Sequence, residues 1–333
     1  MLSDLGIEWF STGIYLRPDN PLRALVTRGI FNRSVDQKYL NLFEKSNPGY
    51  VPLENAIVRV PSALVQDFDV VWVTHTFPNI EHSWNSFRGK PVIWRTYNQQ
   101  EPSWEAKAGN YVKKGLKIVR MGHTESRRPT FAGQDEVIRA WVDSSIFCDW
   151  SGSSPTILTF HNRFDARLSS AMNGCTRAYL DLRRSMPDHQ FELYGFGNEN
   201  SPVSLGTLDF DQQVQMYKLK SIYLSLNSES AAYTNSFMEA LMTGIPVVTF
   251  GSTVSDSRSS PELRGSYEVP DLVKNGKEAI VSDDLVELGY YIKELMSNSQ
   301  LRESIGHSGR QRALQLFNKI DISNQWWDFL KEL

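Results

Sequence analysis

Two arginines stand four residues apart in the segment HNRFDAR, at positions 163 and 167. The segment follows a predicted strand, PTILTFHN, and precedes a predicted helix, so both side chains can lie at the carboxyl end of that strand. Each guanidinium can donate two hydrogen bonds to phosphate oxygens, which suits Arg163 and Arg167 to a diphosphate. The alternative is an exposed loop in which Arg163 pairs with Asp165.

A second cluster of polar residues lies in the segment TNSFMEALMTGIPVVTFG. Thr234, Asn235 and Ser236 begin a helix that is predicted over 235–243 and ended by a glycine, and the N–H groups of such a start favour an anion. Glu239 lies one turn further on, where its carboxylate can accept both hydrogen bonds of a ribose diol. A solvated glutamate is the alternative. Together, the two clusters predict a site for a nucleoside diphosphate.

Strands and helices alternate along almost the whole chain. The predicted strands are GIEWF, AIVRV, DVVWVTH, PVIWRTY, LKIVRMG and EVIRAWV in the first half, and PTILTFHN, QFELYGFG, SIYLSLN, PVVTFG and EAIVS in the second. Helices are predicted from Asp19, over 168–186, and over about 284–297 and 299–316. This alternation predicts an α/β protein with two doubly wound Rossmann-like domains that face a cleft. The polar stretch DWSGSSP, at 149–155, is the predicted linker.

Composition excludes several classes of protein. Charged residues make up 22% and hydrophobic residues 41% of the 333 positions, which is ordinary for a globular protein. The net charge of −3 excludes a strongly basic coat for nucleic acid, but not a local basic groove in the first half. No apolar run is long enough to span a membrane, and no secretory signal is visible, so we expect a cytoplasmic protein. Neither the 2 cysteines nor the 6 histidines fall at metal-ligand spacing, so no metal site is predicted.

From about Pro155 to Leu333, the chain resembles the donor half of the retaining family-4 glycosyltransferases of the GT-B fold. NRFDAR resembles the family's glycine-arginine…lysine segment, and YGFG resembles its glycine-rich turn. SLNSESAAYTNSFMEALMTGIPVV resembles its E-x7-E block, and YEVPDLVKNGKEAIV resembles the segment that follows. The resemblance implies an acceptor-binding domain at 1–150, a nucleotide-sugar donor-binding domain at 151–318, and a C-terminal helix at 319–333 that crosses back to the first domain.

The resemblance also implies roles for individual residues. Arg163 and Arg167 match positions that bind the donor diphosphate, and Glu239 matches the glutamate that holds the nucleotide ribose. The backbone of Asn235 and Ser236, next to Thr234, matches the turn that faces the phosphates. The glycine-rich turn falls on Gly195 and Gly197. The first glutamate of E-x7-E falls on Ala231, so the donor sugar is recognised by another group, such as Glu229, or the protein is inactive.

The first half resembles the family's acceptor domain only weakly. DVVWVTH resembles a strand of that domain and leaves His75 at its mouth, while Asn98 follows PVIWRTY at the position closest to the family's histidine beside the reacting sugar. Tyr97 or Trp104 could stack on a sugar or a base. The adjacent arginines at 127 and 128 are predicted to face an anionic acceptor.

The resemblance implies a hexosyltransferase that moves a sugar from a UDP- or GDP-linked donor to an acceptor hydroxyl, with retention and without a metal. The nucleotide sugar is then a co-substrate, and no further cofactor is expected. The acceptor stays open between a glycan and a hydroxymethylated base in DNA. The basic and aromatic residues of the first half could bind such a base after it has flipped out of the duplex. Another alternative is a degenerate relative that only binds the nucleotide. A sugar-nucleotide epimerase is disfavoured because no acid–base carboxylates are placed for it.

Overall fold

The structure is a computed structural model that describes residues 37–49, 57–96, 101–165, 174–227, 231–256 and 264–333. The chain divides into two compact units. The first comprises Met1–Met121, Thr130–Ile138 and Ser323–Leu333, and the second comprises Gly122–Pro129 and Arg139–Ile322. The functional division into an acceptor domain followed by a donor domain stays a prediction.

The first unit is built on a parallel sheet in the order β1-β2-β3-β4. Its strands are β1 (Val71–Thr74), β2 (Val92–Arg95), β3 (Leu116–Arg120) and β4 (Glu136–Val137). Its helices before β4 are α1 (Gln37–Ser46), α2 (Ser62–Val65), α3 (Pro78–Ser83) and α4 (Pro102–Val112). The core around Trp94 and Phe77 packs on one face of the sheet, and Ile93 and Val119, which alternate with it along the strands, are fully buried on the other, as parallel strands require.

Of the strands predicted in the first half, AIVRV is wrong in its described part and EVIRAWV is confirmed only in part. The described part of AIVRV is not a strand, because the N–H of Val58 donates to Asn79 Oδ1 (2.8 Å) and that of Val60 donates to Ser83 Oγ (2.9 Å). Side chains thus take the donors that a sheet ladder would need. EVIRAWV is a strand only at Glu136–Val137. The predicted strand GIEWF and the helix from Asp19 lie outside the described residues.

The second unit contains a five-stranded parallel sheet in the order β6-β5-β7-β8-β9. The strands are β5 (Ser154–Phe160), β6 (Gln190–Tyr194), β7 (Lys220–Ser225), β8 (Val247–Phe250) and β9 (Ile280–Ser282). The helices are α5 (Gly174–Ser185), α6 (Phe210–Leu219), α7 (Asn235–Thr243), α8 (Ser252–Asp256), α9 (Val269–Leu272), α10 (Leu285–Ser297) and α11 (Ser299–Leu316). The chain leaves β5 to one side for β6 and then returns to the other side for β7. The strand order therefore reverses between β5 and β7, where doubly wound sheets bind ligands.

The prediction of helix α7 is confirmed at both ends. Thr234 caps its start, since the side-chain oxygen accepts a hydrogen bond from the N–H of Phe237 at 3.2 Å. Gly244 ends it in the left-handed conformation with φ 91°, which glycine adopts without steric penalty. Local chemistry thus sets the position of Glu239 relative to β8.

The last helix, α12 (Lys319–Lys331), begins in the second unit and ends in the first. Within the first unit, the ring of Trp326 lies 4.0 Å from that of Trp72, and the guanidinium of Arg95 lies 5.4 Å from the Trp326 ring. Among the described residues, no helix combines the length and the apolar composition that crossing a bilayer requires.

Candidate functional site

The carboxyl end of β5 turns sharply at Arg163, which has φ 56°. Its N–H donates to the carbonyl oxygen of Phe196 at 2.7 Å, so this turn lies against the glycine-rich turn after β6. A Cβ on Gly195 would lie 2.2 Å from the carbonyl oxygen of His161, and one on Gly197 would lie 2.9 Å from Cγ of Arg163. Both glycines are therefore required for this contact, and they position Arg163 rather than offering side-chain chemistry.

The side chain of Arg163 is exposed, and it makes no ion pair among the described residues. The alternative pair with Asp165 does not form, because Asp165 accepts a hydrogen bond from Ser201 Oγ at 2.8 Å. Asp165 thus stabilises the turn while the Arg163 guanidinium projects into solvent at the switch point. Arg167, its predicted companion, lies outside the described residues.

The start of helix α7 combines polar side chains with backbone donors. Thr234 Oγ1 and Ser236 Oγ lie 3.1 Å apart and share a hydrogen bond, and Tyr217 Oη donates to the carbonyl oxygen of Ser236 at 3.2 Å. Thr234, Asn235 and Ser236 are all half-buried. This helix start, with its positive dipole end, follows the carboxyl end of β7 and suits an anionic ligand.

Glu239 is 4% exposed, so the alternative of a solvated glutamate is wrong. The single proton of Tyr217 Oη is shared between Glu239 Oε2 and the carbonyl oxygen of Ser236, each 3.2 Å away, and the Tyr217 ring packs against Phe160 and Tyr223. Burial raises the pKa of the Tyr223 phenol far above its usual value, so the Tyr223 phenol stays neutral. Sequence reasoning missed Tyr217, because a tyrosine in α6 gives no sequence signal that it contacts α7.

The carboxyl end of β7 carries a buried amide at Asn227. The residue is 6% exposed, and neither Oδ1 nor Nδ2 has a hydrogen-bond partner within the part of the chain that the structure describes. Ala231, at the position of the first glutamate of E-x7-E, is fully buried. Glu229, the predicted substitute, lies outside the described residues.

In the first unit, His75 follows β1 as predicted and is half-buried with φ 65°. Its N–H donates to the carbonyl oxygen of Arg95 at 3.0 Å, and Trp94 Nε1 donates to the carbonyl oxygen of His75 at 3.2 Å. The imidazole lies edge-on to Trp104, with ring centroids 5.6 Å apart. The backbone of His75 therefore makes hydrogen bonds at the carboxyl ends of both β1 and β2. Asn98 and Tyr97 lie outside the described residues.

The arginines at 127 and 128 belong to the second unit, not to the first. Arg127 forms an exposed ion pair with Asp271 at 2.7 Å. Arg128 is 3% exposed and donates from Nε to Ser266 Oγ at 2.7 Å. The prediction that this pair faces an anionic acceptor is wrong for Arg128, because its side chain is buried within the second unit and donates to the Ser266 hydroxyl.

Comparisons with known proteins agree with this architecture. Residues 176–326 match the model of a family described as glycosyl transferase-like. That segment contains β6 to β9 and most of α12, and therefore Glu239, Asn227 and the glycine-rich turn. No curated protein sequence matches the chain.

Several solved structures are similar in fold. Sucrose-phosphate synthase from Thermosynechococcus elongatus superposes with a TM-score of 0.63 at 12% identity, covering 86% of this chain and 82% of that one. Anabaena HepE in complex with UDP-glucose gives 0.62 at 14% identity, covering 82% of each chain. The pneumococcal O-GlcNAc transferase GtfA, in complex with UDP and GlcNAc, gives 0.56 at 14% identity, covering 81% of this chain and 59% of that one.

The fold class is therefore that of the GT-B glycosyltransferases. The predicted resemblance is confirmed at this level by the matched segment in the second unit and by the shared fold. It follows that the carboxyl edge of the second sheet is the place at which a ligand is to be sought.

Proposed function

We propose that the chain is a retaining glycosyltransferase that moves a hexose from a UDP- or GDP-linked donor to an acceptor hydroxyl. The observation that carries the proposal is the burial of Glu239 one turn inside α7, at the sheet edge where strand order reverses. The buried carboxylate suits the ribose of a nucleoside diphosphate, and the helix start and the exposed Arg163 suit its diphosphate.

The diphosphate end rests on Arg163 and the start of α7. Breaking the bond between the sugar and the diphosphate leaves negative charge on the departing phosphate, and positioned donors stabilise that charge as it develops. Arg163 is free to turn its guanidinium towards a phosphate because Asp165 is bound to Ser201 instead. The backbone N–H groups at Asn235 and Ser236 add the helix dipole. Gly195, Gly197 and Thr234 support these elements without reacting, and we propose that Arg167 adds a second cation.

The nucleoside end rests on Glu239. Its carboxylate can accept two hydrogen bonds from vicinal hydroxyls, and Tyr217 limits how the carboxylate can rotate. HepE and GtfA, which share the fold, are in complex with UDP-glucose and with UDP. This supports a uridine donor for the present chain, with GDP-linked donors as the alternative.

The chemistry needs no nucleophile from the protein and, we propose, no metal. In a retaining transfer of this kind, the departing phosphate oxygen takes the proton of the acceptor hydroxyl as the new glycosidic bond forms. We propose that His75 and Asn98 position the acceptor. A glycan is the favoured acceptor, because the burial of Arg128 removes one of the features that suggested modified DNA.

A second candidate function is nucleotide binding without transfer. The observation that favours it is Ala231, which is fully buried where the resemblance implies a carboxylate. Such a relative would be stabilised by UDP or GDP, yet would neither hydrolyse nor transfer from any nucleotide sugar. Slow donor hydrolysis without an acceptor would reject this candidate.

The test is release of UDP or GDP from a panel of nucleotide sugars with mixed acceptors. We expect turnover in the parent and loss of about 10²–10³-fold in Arg163→Ala, the range for removal of one group that stabilises developing charge. Arg184→Ala is the matched control, since Arg184 is an exposed arginine of the same unit that pairs with the exposed Asp181. Undiminished turnover in folded Arg163→Ala would overturn the assignment.

A further inference from the structure

The second unit contains two buried asparagines that differ in their hydrogen bonds. Asn198 is 2% exposed, and its amide is fully used, since Nδ2 donates to the carbonyl oxygen of His161 at 2.7 Å and Oδ1 accepts the N–H of Phe164. Asn227 is 6% exposed, and neither of its amide atoms has a partner in the described residues. A buried amide without partners destabilises a protein, so its retention calls for a ligand.

The side of the sheet on which Asn227 lies follows from the alternation of its neighbours. Ile222, Leu224 and Leu226 all belong to the apolar core cluster on one face. Tyr223 lies on the other face, with its ring against Tyr217. Because successive residues point to opposite faces, Asn227 shares the face of Tyr223 and Ser225. That is the face on which Tyr217 contacts Glu239 and the start of α7.

The position of Asn227 along its strand is equally informative. Asn227 follows β7, and Arg163 follows the neighbouring strand β5, so the two residues flank the point at which the strand order reverses. Ligands of doubly wound sheets occupy this crevice. The buried amide is therefore placed at the same edge as the proposed diphosphate and ribose contacts, and not in a separate part of the fold.

The hydrogen-bonding capacity of the amide indicates which part of the nucleotide sugar it binds. An asparagine offers an N–H₂ donor and a carbonyl acceptor, and both are unsatisfied here. A phosphate oxygen can only accept, so it would leave Oδ1 without a partner. A sugar hydroxyl both donates and accepts. The ribose is already assigned to Glu239. The base of the nucleotide also offers a donor and an acceptor, so binding of the free nucleotide, which lacks the hexose, is the measurement that separates the base from the hydroxyls of the hexose.

We propose that Asn227 is a specificity-determining residue that binds two neighbouring hydroxyls of the transferred sugar, one through each amide atom. The proposal rests on the proposed function and adds the group that recognises the sugar. It differs from the prediction that Glu229 does so, because Asn227 is a neutral group that is already buried at the sheet edge.

The first arm of the experiment measures the melting temperature of the ligand-free protein. Asn227→Leu replaces an unsatisfied amide by an apolar side chain of similar size, so we expect an unchanged or raised melting temperature. Asn198→Leu is the matched control, because it removes two hydrogen bonds, and we expect it to lower the melting temperature by several degrees. Equal losses in the two variants would overturn the proposal, since Asn227 would then have partners in the ligand-free protein.

The second arm measures binding of UDP, GDP, UDP-glucose, UDP-N-acetylglucosamine and GDP-mannose by calorimetry. For the donor that the parent binds best, we expect Asn227→Leu to weaken binding by at least about tenfold while the free nucleotide changes less than about twofold. Equal loss for nucleotide and donor, or no loss for either, overturns this proposal and leaves the proposed function intact. A parent that binds none of the five ligands overturns both.

Discussion

Two arginines and an amide at the carboxyl edges of the two sheets differ in how far the protein satisfies them. At the first edge, Arg120 is fully buried and satisfied by its own unit, because Glu105 binds its guanidinium and the carbonyl oxygen of Gly133 accepts from Nη2 at 2.7 Å. At the second edge, Arg163 is exposed without an ion pair among the described residues, and the amide of Asn227 is buried without a partner.

This difference distinguishes polar groups that stabilise the fold from polar groups that are available to bind a ligand. A buried arginine held by a carboxylate and a carbonyl group fixes the packing of Phe131, whose ring lies 4.7 Å from its guanidinium. Its Nε, Nη1 and Nη2 atoms all donate to groups of the same unit. A buried amide without partners can still make hydrogen bonds to a ligand when one binds. The same sheet edge thus serves stability in one unit and, as we propose, recognition in the other.

The largest effect is expected at the first edge. Glu105→Ala leaves the Arg120 charge buried and unpaired, so we expect a loss of about 3–5 kcal/mol in the free energy of unfolding, measured by denaturant unfolding. The double variant Glu105→Leu/Arg120→Met, which removes both charges, is the control and should lose much less. A loss below about 1 kcal/mol in Glu105→Ala would mean that this edge is not held by the pair.

A smaller effect is expected at the second edge, and on binding rather than on stability. Glu239→Gln keeps one acceptor oxygen but loses the charge, so nucleotide binding should weaken by about 1.5–3 kcal/mol, the range for hydrogen bonds to charged groups. UDP and the intact donor should weaken equally in calorimetry, because both contain the ribose. Glu303→Gln, on the exposed face of α11, is the control. Unchanged UDP affinity in Glu239→Gln would remove the main support for the ribose assignment.

The smallest effect is expected from the residue behind the carboxylate. Tyr217→Phe keeps the ring contacts with Phe160 and Tyr223 but removes the hydrogen bond to Glu239 Oε2. We expect nucleotide affinity to fall by about 1 kcal/mol, since the Glu239 carboxyl group is kept and only its orientation is less restricted. Tyr290→Phe, at an exposed tyrosine of α10, should have no effect. A loss as large as that of Glu239→Gln would mean that Tyr217 contacts the ligand itself.

Elements with local signals were predictable from the sequence. Helix α7 has a capping threonine, an apolar stripe and a terminal glycine within ten residues, and its predicted bounds agree with the structure. Helices α10 and α11 likewise agree with the periodicity within a residue. AIVRV has equally clear strand propensity, yet its N–H groups bond to Asn79 and Ser83, more than twenty residues later. Tertiary partners of that kind leave no local pattern.

The candidate site shows the same division. The polar residues after the strands, including Asn227, were recognisable because the carboxyl ends of parallel strands are a general ligand edge. The burial and the hydrogen-bond partners of each group were not predictable from the sequence. Whether Glu239 is buried, whether Asp165 binds Arg163 or Ser201, and whether an amide has partners all depend on residues far along the chain. The prediction for Arg128 was wrong for the same reason, since Arg128 donates a hydrogen bond to Ser266, which lies far along the chain.

The packing of Trp326 on Trp72 has a consequence for biosynthesis. Ribosomes release a chain from its N-terminus onwards, so the first sheet emerges early, whereas its α12 partner emerges only after the entire second unit. At about 5–20 residues per second, the nascent first unit waits on the order of ten seconds to a minute with one face of Trp72 uncovered. During that interval, the second unit can complete its core first, which reverses the usual order in which consecutive domains mature.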